Sequence, residues 1–293
     1  MIRNCRTTIF IFILVSVLLA PVHAQTKIQV VTRTISRTFE CKPGSIVNVK
    51  GEKAHILIKK SADNKIRVKI SLISKNPARE IAETDLKYCD YQIIENDKGI
   101  NISNFFDSKS QFKEISSNLS AKFEIEVPSG INLKLANIYG NIEMNGIEGI
   151  LNLTVDFGKV NFSGISGSLY INSNVTDVVG NNLNAVANIK ARKTDIKLSN
   201  IKNLLRIKNQ YGSIELEEVY SSVNIDAEMT AIKIQVDDLK KYSFDLASIS
   251  GNIEVPIEYH KFISNKSGDA LFTETGGKIL IKMKTTFSAI TLK

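Results

Sequence analysis

"NLKLANIYGNIEMNGIEG" (residues 132–149) is followed without a gap by "ILNLTVDFGKVNFSGISG" (150–167), and the two align column by column. Four more blocks of the same length follow: "SLYINSNVTDVVGNNLNA", "VANIKARKTDIKLSNIKN", "LLRIKNQYGSIELEEVYS" and "SVNIDAEMTAIKIQVDDL". Self-similarity at a fixed period is the mark of a repeat architecture. The second and fourth columns are apolar: Leu133 and Leu135, Leu151 and Leu153, Leu205 and Ile207, Val223 and Ile225. So are the eleventh (Ile142, Val160, Ile196, Ile214) and most of the thirteenth (Met144, Phe162, Leu198, Leu216), with Gly180 the exception. Between them stand polar residues such as Lys134, Asn152, Asn188 and Arg206, or Glu143, Asn161, Lys197 and Glu215. Alternation at period two places one face of a strand inward. Each block therefore reads as two short strands whose apolar pairs lie nine positions apart.

The spacing chooses among stacked-strand folds. A hexapeptide helix would repeat its apolar residue every six positions, and these columns do not. Calcium-binding nonapeptide rolls carry a GGxGxD signature; its absence predicts no calcium ladder. The fold expected is all-β: a flattened parallel β-solenoid with 18-residue coils, spanning 131–293, each coil burying an apolar row that it cannot bury alone. The ninth column (Gly140, Gly158, Thr176, Thr194, Gly212) suits a sharp turn, with glycine supplying positive φ. The sixteenth (Ile147, Ile165, Leu183, Ile201) adds a third inward residue. Asn145, Ser163, Asn181 and Ser199 share the fourteenth and can bond down a ladder. Tyr139, Phe157 and Tyr211 precede the turn, either as packed side chains or as exposed contacts. After a short insertion, "SFDLASISGNIEVPIEYH" continues the pattern from Ser243, and "GGKILIKMKTTFSAITLK" fits a further coil.

Residues 25–130 read as a β-rich N-terminal region capping one end of the stack. "IVNVKGEKAHILI" echoes the nine-residue spacing through Val47, Val49, Ile56 and Ile58. "NPAREIAETDLKY" supplies one short helix, with Asn76 as N-cap and Pro77 in the first turn. "YQIIENDKGINIS" reads as a hairpin across Asn96–Gly99, and Pro128 ends a strand. "YHKFISNKSGDALF" is the candidate cap for the far end, with an assembly surface there as the alternative.

Compartment is set by the first residues. Arg3 and Arg6, the apolar run "TIFIFILVSVLLA" and "VHA" before Gln25 form a signal peptide over 1–24. The run is too short to span a bilayer, so the mature chain is expected to be exported, to periplasm or cell surface, and not membrane-spanning. The formal charge of +8 becomes +6 when Arg3 and Arg6 leave. No block of Lys and Arg with interleaved aromatics appears, which argues against nucleic acid as partner. Cys41 and Cys89 remain after Cys5 is removed; export makes a disulfide between them an open alternative to two free thiols. Their spacing from His55 and His260 excludes a zinc site, and no cofactor motif is present.

The signal peptide, "TISRTFECKPGSIVNVKGEKAHILI" (34–58), the junction "EIEVPSGINLKLANIYGNIEM" (124–144) and the "YGSIEL" coils resemble the bacterial putative-adhesin family common in Bacteroidetes. That resemblance implies a β-solenoid of the cell envelope and supplies no catalytic residues. The expected function is therefore non-enzymatic: an adhesin-like protein binding a polysaccharide or another envelope protein. The alternatives are a carbohydrate-active β-helix enzyme and an envelope-sensing scaffold. The enzyme reading needs a cluster. Asp177 and Asp195, tenth in consecutive blocks with Lys193 and Lys197 beside them, are the candidates, against the simpler reading of solvated turn residues. His55, in an alternating strand, is read as structural.

Overall fold

Blocks that alternate apolar and polar residues can satisfy their backbones only by pairing with one another. The computed structural model describes residues 27–42, 44–106, 115–266 and 268–293; residues 1–24, read from the sequence as a signal peptide, lie outside them. Among the described residues the strands form one 18-stranded sheet, which is mixed rather than uniformly parallel.

Its centre is parallel. Strands β8 (Ile131–Ile138) and β9 (Ile142–Asn145) lie beside the first part of β10 (Glu148–Ile201), which runs through the next three blocks, with Leu133 opposite Leu151 and Ile142 opposite Val160. Strand β11 (Leu205–Val219) pairs in turn with β10 and β12 (Val223–Gln235), with Ile214 opposite both Ile196 and Ile232. Outward side chains bond across these pairs at a separation of 18 residues, as in Asn181 Nδ2 to Ser199 Oγ at 2.8 Å, while the buried pair Ser173 and Thr194 meets at 21. The polar ladder expected in the fourteenth column is thus formed there. Strand β10 is 54 residues long, which would reach about 180 Å if straight. It is folded back on itself by residues in the left-handed region: Phe157, Val175, Asn182, Lys193 and Asn200, at φ between 51° and 57°.

The turn chemistry differs from the sequence expectation. The eighth residue of each block is at positive φ: Tyr139, Phe157, Val175, Lys193, Tyr211 and Met229; in the ninth column Gly212 is too, at φ 130°, but Gly140 and Gly158 are not. The ninth is small for another reason. A Cβ on Gly140 would lie 2.0 Å from the Ala54 carbonyl oxygen, and one on Gly158 2.1 Å from that of Gly140. Where threonine stands instead, its hydroxyl turns back to the chain, as Thr194 Oγ1 does in donating to Arg192 O at 3.1 Å. Close approach between neighbouring blocks selects glycine at Gly140 and Gly158, and at Gly212 it acts together with the expected positive φ.

Gly180 breaks the thirteenth column for a packing reason. A Cβ there would meet the Phe162 ring at 2.1 Å. Phe162, 5% exposed, fills the space that an aliphatic side chain at 180 would occupy, so one large and one absent side chain keep the interior at native density.

The N-terminal region builds directly onto this stack. Strands β2 (Ile46–Glu52) and β3 (Ala54–Lys60) run parallel to β8 and β9, with Val47 opposite Leu133 and Ile56 opposite Ile142. The nine-residue echo is a genuine block, and the core shows no break at 130/131: buried side chains from Val47 to Leu292 form one cluster. Beyond β2 and β3 the end is closed by the expected hairpin, β5 (Cys89–Asn96) and β6 (Gly99–Phe106), and by an antiparallel group. That group is β1 (Gln29–Glu40), β4 (Lys65–Asn76) and β7 (Asn118–Val127), which ends before Pro128. The helix α1 spans Arg79–Asp85, with Ala78 rather than Asn76 at its N-cap. Asn76 Oδ1 instead accepts from Ala78 N at 2.9 Å, just ahead of the helix.

At the other end, chain order and spatial order part. Strand β13 (Tyr242–Ile249) does not stack on β12. The C-terminal block, β17 (Ile279–Thr286) and β18 (Ala289–Leu292), lies between them, with Ile281 opposite both Val223 and Phe244. Ile290 sits between Ile232 and Ile253 of β14 (Asn252–Glu254) in the same way. Every block presents the same apolar columns, so alternation alone does not say which edge meets which. The segment proposed as the far cap does serve there: β15 (Ile263–Lys266) and β16 (Asp269–Glu274) form an antiparallel hairpin laid on β13.

Cys41 and Cys89 are both free. Cys89 O accepts from Arg33 Nη2 at 2.6 Å, whereas Cys41 follows the far end of β1. Eight residues of extended chain separate Arg33 from Cys41, roughly 27 Å, well beyond the 7 Å between Cα atoms that a bridge allows.

Candidate functional site

Because the second and fourth residues of each block point inward, the third and fifth point out, and stacking sets them in two adjacent rows. Residues 152, 170, 188, 206 and 224 make one row and 154, 172, 190, 208 and 226 the other. These rows line a shallow groove of about 530 Å³. It continues toward the corner of the blocks as a second concavity of about 810 Å³, which shares Asn172, Lys190, Lys208 and Asp226 and adds Arg192 and Gln210. Tyr170 stands on the groove floor with 44% of its surface exposed. It is flanked in its row by the amides of Asn152 and Asn188.

The groove is cationic. Lys190 stands directly opposite Lys208, and Arg206 is two residues from Lys208 on the same strand. Lys208 Nζ reaches Asp226 at 3.5 Å and Gln210 donates to Glu228 at 2.9 Å. Among the described residues no ion pair involves Lys190, Arg192 or Arg206.

The opposite face is arranged otherwise. Its charges alternate and pair: Glu215 accepts from Lys197 at 3.0 Å and from Lys233 at 2.7 Å. Those two lysines hold the Glu215 carboxyl below the usual carboxylate range. Toward the N-terminal end Glu124 lies 2.8 Å from both Lys122 and Lys69, and hydrogen bonds from these lysines lower its pKa to about 2. Neighbouring Arg67 bridges Asp63 and Glu126.

The residues singled out from the sequence lie on this second face and its corner, away from the groove. Asp195 accepts from Ser213 Oγ at 2.7 Å. Asp177 is exposed on the same outward column. Lys197 is engaged with Glu215 and Glu217, and Lys193 occupies the left-handed corner position at φ 51°. Nothing draws the four together into a cleft, and among the described residues no group of three or more metal-ligating side chains converges. His55 faces Glu143 at 3.6 Å as a strand-surface residue. Tyr139 and Phe157 stack on each other, ring centroids 4.9 Å apart, yet remain 54% and 43% exposed; they are outward contacts rather than core.

The groove residues were visible in the sequence as the polar third column, which already contained Asn152, Asn188 and Arg206. Tyr170 and Lys190 fell in the same two columns. What the columns did not convey is that this face is concave and the other is not equally charged. Among the described residues, no helix is long and apolar enough to cross a membrane.

No family model matches the chain, and no curated protein matches it. Solved structures do. A putative adhesin from Parabacteroides distasonis is 10% identical with a TM-score of 0.42, over 89% of this chain and 97% of that one. A putative adhesin from Bacteroides fragilis is 13% identical with a TM-score of 0.41, over 89% and 97%. A protein named as a putative lipid binding protein, also from Parabacteroides distasonis, is 9% identical with a TM-score of 0.37, again over 89% and 97%. The solved structures this chain resembles are thus named for adhesion and, in one case, for lipid binding.

Proposed function

We propose that this chain is an exported, non-enzymatic binding protein of the cell envelope, in the periplasm or at the cell surface after residues 1–24 are removed. Its 18-residue blocks stack as coils of a flattened β-solenoid, and an extended polysaccharide lies along the groove of the third and fifth columns. The observation that carries this reading is the groove itself: repeated amides around an exposed tyrosine on a rigid sheet. Amides donate and accept at once, matching sugar hydroxyls. An aromatic ring offers an apolar face beside a polar tip, and polar groups on a stiff scaffold lose little entropy on binding.

The test is titration of soluble polysaccharides into the protein and into Tyr170→Ala and Asn188→Ala. Both side chains are outward, so the fold is retained. A loss of at least tenfold in affinity for either variant supports the groove. Binding that survives both substitutions but fails in Lys197→Gln moves the site to the other face and overturns the proposal.

A further inference from the structure

The groove concentrates like charge more than the rest of the sheet does. On the second face, Lys197, Glu215 and Lys233 alternate in sign across the strands, and the like-charged neighbours Asp177 and Asp195 are a single pair. In the groove, Lys190 faces Lys208 across one strand pair, and Arg192 and Arg206 lie on the same two strands. Four cations thus fall within two adjacent blocks, where strands are about 4.8 Å apart. Like charges directly opposite destabilise a sheet. Asp226 relieves only one of the four, and its neighbour in the next block is again a lysine, Lys284.

The bias is carried by two columns of this face. Across the nine stacked blocks, the third and fifth columns hold seven lysines or arginines and two aspartates, Asp226 and Asp245, whereas the seventh, which carries Arg192, also holds Glu52, Asp156 and Glu228. One of the two, Asp245, is neutralised by Lys282 at 2.7 Å. A row of uncompensated cations on a rigid face lowers stability unless an anion runs along it, and such local violations of good patterning collect at functional sites.

From this placement we infer that the polysaccharide is acidic, carrying carboxylate or sulfate groups that bind Lys190, Arg192, Arg206 and Lys208 while a sugar ring lies against Tyr170. The inference rests on the proposed function and narrows it to a ligand class. Arg206 supplies a planar fork able to take a carboxylate or sulfate through two parallel bonds. The two lysines supply charge without fixed geometry, which suits an anion repeated along a flexible chain.

The experiment uses four probes on the intact protein: polygalacturonate, heparin, neutral dextran and a homopolymeric RNA. Binding is read by titration at about 50 mM and 500 mM salt, with melting temperature recorded in parallel. The expected result is that polygalacturonate or heparin binds, and that the one preferred tells carboxylate from sulfate. Binding should weaken at high salt as the charges are screened, and Lys190→Gln with Arg206→Gln should lower it at least tenfold. Unliganded Lys190→Gln should melt no lower than the parent, because it removes a like-charge contact, while gaining less from polygalacturonate or heparin. Dextran bound as tightly as the acidic glycans, and unaffected by the double substitution, would overturn the acidic assignment and leave polysaccharide binding standing. No binding to any of the glycans would overturn both. RNA bound as tightly as the glycans, with the same loss in the double variant, would replace the glycan with an unspecific polyanion surface.

Discussion

Ile281 decides whether the C-terminal block is an inserted layer. Its side chain is fully buried, and its strand is hydrogen-bonded on both sides, to β12 at Val223 and to β13 at Phe244. Truncating a buried isoleucine to alanine costs about 2–5 kcal/mol, from lost transfer energy and the cavity left behind. If β17 separates β12 from β13, that loss falls on both interfaces. At 1.4 kcal/mol per decade, local opening becomes roughly 30- to 4,000-fold more frequent. Backbone amide hydrogen exchange on Ile281→Ala should show it in 223–228 and in 242–249 alike, with 187–191 much less affected. Had the chain stacked in sequence order, 242–254 would lie on 223–235 and β17 beyond it at the end. Ile281 would then border only one of the two segments. Loss of protection confined to one of them would refute the inserted order.

Gly158→Ala places a Cβ 2.1 Å from the Gly140 carbonyl oxygen, and overpacking of this kind costs about 1–3 kcal/mol or more; urea denaturation should show a lower midpoint. Glu124 has its carboxyl lowered from 4.5 to about 2 by hydrogen bonds from Lys122 and Lys69. A depressed carboxyl stabilises above its unfolded pKa and loses that contribution as pH falls through its folded value. The melting difference between the parent and Glu124→Gln should therefore be full near pH 6 and shrink between pH 4.5 and pH 2; a constant difference would contradict the ion pairs. Cys89 is buried and burial pushes its thiol up to about 11, so iodoacetamide at pH 8 should modify Cys41 in the native protein and reach Cys89 only after denaturation, since the thiolate is the reactive form.

Much of the architecture was legible because its cause is local. Period-two alternation fixes which side chains face inward wherever the strand lies, so Leu133, Val160, Ile196 and Ile214 reached the core as read. The eighteen-residue recurrence alone places Asn181 beside Ser199, where the two side chains bond. The hairpin at Asn96–Gly99 was equally plain, being set by neighbours in the chain. Gly212 has the positive φ expected of the ninth column, but Gly140 and Gly158 misled because a single residue shows its type and not its surroundings. Glycine suggested free dihedrals, while the contact with the preceding block is what excludes a side chain.

The sequence by itself determined the strand pattern, the inward columns and the register between consecutive blocks, since each follows from spacing along one chain. Only the tertiary structure decided that the last block lies between β12 and β13, because interchangeable edges are told apart by packing and connection, not by alternation. Tertiary structure likewise separated two polar faces that look alike in sequence. Charges alternate and pair around Lys197 and Glu215, and they accumulate around Lys190 and Arg206. A charge acquires its meaning from the neighbour that stacking sets against it.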